Sequence, residues 1–162
     1  MKKIISLHKT YYALIGLGII CLILLQATVT GLRWEKVFLL QQRNDYKQIT
    51  GYVLLLLIAY QWYLGLSRYH DKQFIKKIAI HKSIGLTLPL GFYFHAMQYG
   101  HAYQIFMWVL FIVCCLTAYL NPEVVRLRFA NWPLYWFVLH ITLSSLLTVL
   151  LIYHLYVVYD YS

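Results

Sequence analysis

Five stretches of the chain, about 11–32, 50–67, 78–99, 102–120 and 132–157, are apolar almost throughout, and the polar residues collect between them. A helix needs roughly 20 mainly apolar residues to cross a hydrocarbon core about 30 Å thick, so each stretch is read as one transmembrane helix. The third is interrupted only by histidines, Lys82 and a few small polar residues. The connections are about 17, 10, 2 and 11 residues long, too short to hold a folded domain. The pattern predicts an all-α membrane protein, a single transmembrane domain over residues 1–162 built as a five-helix bundle. The segment "LNPEVVRLRFANWP" ends the fourth helix at Asn121-Pro122. It opens the fifth with Asn131 as N-cap and Pro133 in the first turn, where the missing N–H costs little. The opening "MKKIISLHK" has the charged start of a signal peptide, but no small-residue cleavage site follows, and an uncleaved first span is expected.

Composition agrees with a bilayer setting. Hydrophobic residues make up 62% of the chain and charged residues 12%, where a soluble domain has about 45–50% and about 25%. Sixteen Tyr and five Trp, many near segment ends, suit the aromatic belts at the membrane interfaces. The net charge of +9 sits in short loops between apolar runs. It is read as orientation signal and lipid-headgroup contact, with no nucleic-acid partner. Of the 14 Lys and Arg residues, ten lie at the N-terminus, around 67–82 and in the 121–131 loop. The other four, Arg33, Lys36, Arg43 and Lys47, share the 33–49 loop. The positive-inside rule then favours the N-terminus in the cytoplasm and the C-terminus outside. The expected setting is an integral protein of a bacterial inner membrane. Cys21, Cys114 and Cys115 fall inside apolar runs without metal-site spacing and are read as small buried apolar residues.

Against this apolar background four histidines stand out. "HKSIGLTLPLGFYFH" carries His81 and His95, and "HITLSSLLTVLLIYH" carries His140 and His154, with the same 14-residue step in each. Fourteen residues turn about 1400°, some 40° short of four full turns, so both histidines of a pair point the same way, about 21 Å apart. The third and fifth spans run in the same direction. His81 then lies level with His140 towards the cytoplasm, and His95 level with His154 towards the outside. Two facing imidazoles at each of two levels suit two bis-histidine haems b, with His81, His140, His95 and His154 as iron ligands. A lone transmembrane histidine is often a packing residue, but matched pairs on parallel helices are hard to explain that way.

Other positions are read around this core. Gly85, Gly91 and Ser144 are small residues near the ligands that would let a flat macrocycle approach. Lys82, Arg126, Arg128 and Lys76 are placed to pair with inner propionates, and Arg33, Lys36 or Tyr99 with outer ones. Pro89 is either a kink or a tolerated membrane proline. Trp62 and Trp136 are lipid-facing or core aromatics, or lie against a porphyrin. His101 is read as interfacial, and His70 and His8 as solvated loop residues.

Two helices, third and fifth in the bundle, each with two histidines 13 or 14 apart, resemble the ferric reductase-like transmembrane domain family. NADPH oxidases, yeast ferric reductases and the haem partner of a periplasmic methionine sulfoxide reductase belong to it. The resemblance spans about 11–157 and rests on helix order and the four histidines. It implies an inner haem on His81 and His140, an outer haem on His95 and His154, and electrons passing from a cytoplasmic donor to an outside acceptor. The family usually has a sixth helix, and many members add FAD- and NADPH-binding domains. This chain stops after the fifth and has no GxGxxG or other nucleotide loop, so no FAD or NAD(P) site is expected. Electrons would come from a partner flavoprotein, an iron–sulfur subunit or quinol. They would leave to an acceptor protein, ferric iron, a flavin or oxygen.

Two other readings compete. One is a cytochrome b561-like quinol or superoxide oxidoreductase, with Gln98, Tyr99, His101 and Tyr103 as candidate quinone contacts. The other is a non-redox membrane scaffold subunit. Proton transport is weaker, because Glu35, Asp45, Asp71, Glu123 and Asp160 all fall in loops or termini.

Overall fold

A computed structural model describes residues 2–29, 34–67, 74–96, 100, 102–125, 127–128 and 130–160, with the backbone alone for 2–10, 27 and 74. Among the described residues there are six helices and no strand. They are α1 (Lys2–Thr28), α2 (Glu35–Leu40), α3 (Asn44–Ser67), α4 (Phe74–His95), α5 (Ala102–Tyr119) and α6 (Trp132–Asp160). The five long helices fall on the five apolar stretches, and α2 is an addition the hydropathy pattern does not announce.

Three of them, α3, α5 and α6, are long and apolar enough to cross a membrane. In α1 the comparable described stretch is the shorter Tyr11–Gln26. In α4 the apolar run is broken by Lys76, Lys77, His81 and Lys82. Large apolar side chains are exposed along α3, α5 and α6, among them Leu56, Phe106, Val149 and Ile152. In α6 not one residue is buried. Apolar surface on this scale is a liability in water and the normal outer face of a helix in lipid.

The chain divides into two compact units, Met1–Leu17 with Tyr99–Ser162, and Gly18–Gln98. In the second unit α3 packs on α4. The pair is antiparallel, with Thr50 meeting His95, Leu54 meeting Gly91 and Gln61 meeting His81. A Cβ on Gly91 would sit 2.9 Å from Leu54 Cδ2, so this glycine admits a leucine of α3. The structure thus shows a helix–helix approach at this glycine. At Gly85 an added Cβ would meet, among described atoms, Gln61 Nε2 at an ordinary 3.5 Å. Pro89 lies fully buried inside α4, and the helix runs through it from Phe74 to His95.

The residue after α2 has a defined task. Gln41 is buried, and its side-chain amide donates to the carbonyls of Tyr93 (2.7 Å) and Phe94 (3.0 Å). The last carbonyls of a helix have no intrahelical partner, and leaving them bare in an apolar setting costs several kcal/mol each. Gln41 covers two of them at the His95 end of α4. At the start of α3, Arg43 and Asp45 form an exposed ion pair at 2.6 Å, a contact worth little by itself.

In the first unit α5 packs on α6, again antiparallel. Thr117 meets His140, Cys114 meets Ser144, and Tyr103 meets His154. Asn121 ends α5, its side-chain amide donating to the Ala118 carbonyl (3.1 Å) and its Oδ1 accepting from the Glu123 N–H (2.9 Å). The Asn131 carbonyl accepts the first N–H groups of α6, from Leu134 and Tyr135, which puts Asn131 at the N-cap position with Pro133 in the first turn. Trp132 Nε1 donates to the Val125 carbonyl (2.8 Å) and ties the connection to the helix start. Of the cysteines, Cys115 is buried, Cys114 is half-buried against Ser144, and Cys21 is exposed on α1, contrary to the buried reading.

Candidate functional site

Each of α4 and α6 carries its two histidines on one face, four turns and about 21 Å apart. Each imidazole is half-buried. What surrounds them differs from ring to ring.

His140 is held from two sides. Its ring stacks on Trp136, one turn earlier in α6, with centroids 5.5 Å apart and planes 4° from parallel. Residues i and i+4 share a helix face, so this contact follows from the sequence spacing. Trp136 Nε1 in turn donates to the Thr117 carbonyl at 2.6 Å. The Thr117 hydroxyl lies 3.1 Å from His140 Nδ1 and donates its own proton to the Cys114 carbonyl at 2.7 Å. A hydroxyl has one proton to give. With that proton on Cys114, the bond to His140 needs the ring to donate Nδ1–H, which leaves the lone pair on Nε2.

His95 repeats the arrangement on the other hairpin. The Thr50 hydroxyl donates to the Tyr46 carbonyl at 2.8 Å, with the Lys47 carbonyl at 3.2 Å, and lies 3.0 Å from His95 Nδ1. The same accounting puts the His95 proton on Nδ1 and the lone pair on Nε2. Gly51, the next residue of α3, makes room for the ring: a Cβ there would stand 3.1 Å from His95 Cε1. Gly51→Ala is expected to push the imidazole off Thr50. Gly65→Ala, on the same helix with no described atom within 4 Å, should leave it in place. The His95 imidazole 15N shifts of the two variants check this.

The other two histidines are held differently. His154 Nδ1 lies 3.4 Å from the Tyr103 hydroxyl, a long contact that assigns no tautomer. Tyr103 also meets Tyr153 edge to face, at 5.3 Å and 82°. At His81 the Gln61 side-chain amide donates to the backbone carbonyl at 2.9 Å, fixing α3 against α4 at that level. Ser144 Oγ donates back to the His140 carbonyl at 2.8 Å and lies 3.3 Å from Cys114 Sγ.

Of the basic residues expected near the ligands, Lys82 follows His81 on α4 and is half-buried, and Arg128 is exposed in the α5–α6 connection. Arg33 and Arg126 lie outside the described residues, as do Gln98, Tyr99, His70 and His101. Among the described residues no three His, Cys, Asp or Glu side chains gather to hold a bare metal ion. Haem asks less of the protein, since the macrocycle supplies four donors and each histidine one lone pair. A neutral imidazole whose Nδ1–H is already engaged offers that lone pair at Nε2. His95 and His140 fit this requirement.

Thr50, Thr117 and Gln61 carry no signal as single letters in the sequence, because their partners lie across a helix pair. Comparison with protein-family models, curated proteins and solved structures finds no match to this chain.

Proposed function

We propose that the chain is a membrane-embedded di-haem b cytochrome subunit of a ferric reductase-like system, passing electrons between a donor and an acceptor on opposite faces of the bilayer. The observation that carries the reading is the pair of matched 14-residue histidine steps on α4 and α6. Ionisable side chains are expensive within apolar spans and are kept there for function. When bound, haem b with two histidine ligands takes up and passes on single electrons.

The chain's own residues bind and orient. His81 with His140, and His95 with His154, each supply two axial nitrogens, a pairing that rests on the spacing. Lys82 is the described cation nearest a ligand in sequence and is assigned to a propionate. Arg126, Arg128 and Arg33 are proposed for the same role. The five long helices are proposed to span the bilayer with the N-terminus cytoplasmic. A partner flavoprotein, iron–sulfur subunit or quinol would deliver electrons, and ferric iron, a flavin or an acceptor protein would take them.

The test is an absorption spectrum of the purified chain before and after dithionite, with haem counted per chain. Low-spin b-type bands and a count near two are expected; a colourless protein from haem-replete cells rejects the proposal.

A further inference from the structure

We propose that Thr50 and Thr117 are positioning residues, each fixing its histidine as the Nδ1–H tautomer and so presenting the Nε2 of His95 or His140 for ligation. As to what is ligated, the inference rests on the haem reading; as to the tautomer, it stands on hydrogen bonds alone.

The two arrangements are built alike from unrelated sequence. In each, a threonine on one helix of an antiparallel pair gives its proton to a carbonyl of its own preceding turn. Thr50 uses Tyr46 at 2.8 Å, and Thr117 uses Cys114 at 2.7 Å. The hydroxyl oxygen then faces an imidazole Nδ1 on the neighbouring helix, at 3.0 Å for His95 and 3.1 Å for His140. Back-bonding of this kind is common for threonine in apolar helices, where it hides the hydroxyl's donor. Here it has a second effect, because a hydroxyl committed as donor can only accept from the ring. An acceptor bonded to the far nitrogen of a ligating imidazole fixes ring orientation and raises the basicity of the ligating nitrogen.

The distribution matters too. By the pairing proposed above, His95 and His140 belong to different haems. Each haem then has one threonine-anchored ligand. The opposite ligands, His154 and His81, meet Tyr103 and a backbone contact from Gln61 instead. Thr50 should therefore act on one haem and Thr117 on the other.

The experiment compares wild type with Thr50→Val, Thr50→Ser, Thr117→Val and Thr117→Ser in the full chain. Imidazole 15N shifts are recorded on haem-free protein, and haem retention and reduced-minus-oxidised spectra on haem-replete protein. Wild type and the serine variants are expected to hold His95 and His140 as Nδ1–H. Each valine variant should lose that preference at its own histidine and weaken retention of a single haem about 10-fold or more. Valine variants that keep the Nδ1–H tautomer, or a wild type that shows Nε2–H, overturn the inference whatever the spectra show. A wild type with the tautomers as described but no haem uptake from haem-replete cells sinks the haem reading and leaves the tautomer assignment standing.

Discussion

Alanine at His140 is expected to strip the purified protein of one haem, and alanine at His95 to strip it of the other. In the proposed sites each substitution removes one of two axial nitrogens, and alanine supplies no donor in its place. The count per chain should fall from about two to about one. His81→Ala should deplete the same spectral component as His140→Ala, and His154→Ala the same component as His95→Ala. The pairs lie about 21 Å apart along their helices, so loss at one level should leave the bands of the other nearly unchanged. Haem extraction and reduced-minus-oxidised spectra on the four variants make the measurement. If His81→Ala and His95→Ala depleted one and the same component, the level-by-level pairing would be wrong.

The helices were legible because long, nearly uninterrupted apolar runs of the kind a bilayer crossing demands are rare, and three of the five long helices, α3, α5 and α6, reach that length and apolarity. The five predicted stretches each lie largely within a helix. The fourth and fifth stretches start where α5 and α6 do, at Ala102 and Trp132, but the starts of the other three were less legible, and for one reason. Backbone hydrogen bonding continues past the apolar stretch into residues that hydropathy counts as loop. Thus α1 extends back to Lys2, α3 begins at Asn44 and α4 at Phe74. The six-residue α2 escaped because a single turn and a half has too few positions to show a period. Its value lies in placing Gln41, whose two bonds to α4 depend on distant carbonyls that no local pattern reveals.

The candidate site divides in the same way. Four histidines were visible because they are rare against leucine and tyrosine, and Trp136 against His140 was readable as an i, i+4 pair. Thr50 and Thr117 were invisible because their meaning lies in the register of one helix against another. A shift of one residue along α3 would carry Thr50 about 100° around the helix and away from His95. Gly91 shows a related limit: a small residue beside a ligand invites a cofactor, and the sequence does not reveal that its missing Cβ also admits Leu54.

The other large effect is independent of any cofactor and concerns two glycines of one helix. Gly16→Ala should destabilise the protein, whereas Gly18→Ala, two residues along α1, should be neutral or stabilising. Alanine is favoured over glycine inside a helix by about 0.5–1 kcal/mol, and both sites have that gain available. They differ in what a methyl group meets. At Gly18 no described atom lies within 4 Å. At Gly16 the new Cβ would stand 2.6–2.8 Å from three ring carbons of Tyr119, inside any real contact distance. Tyr119 is buried at 7% exposure near the end of α5, so its ring has little room to withdraw. Overpacking of this kind costs about 1–3 kcal/mol, enough to outweigh the helix gain. Thermal unfolding in detergent should place Gly16→Ala below wild type and Gly18→Ala at or above it. Adding Tyr119→Ala to each should separate clash from propensity: with the ring gone, Gly16→Ala ought to behave like Gly18→Ala. A Gly16→Ala chain as stable as wild type would mean that α1 does not lie against Tyr119.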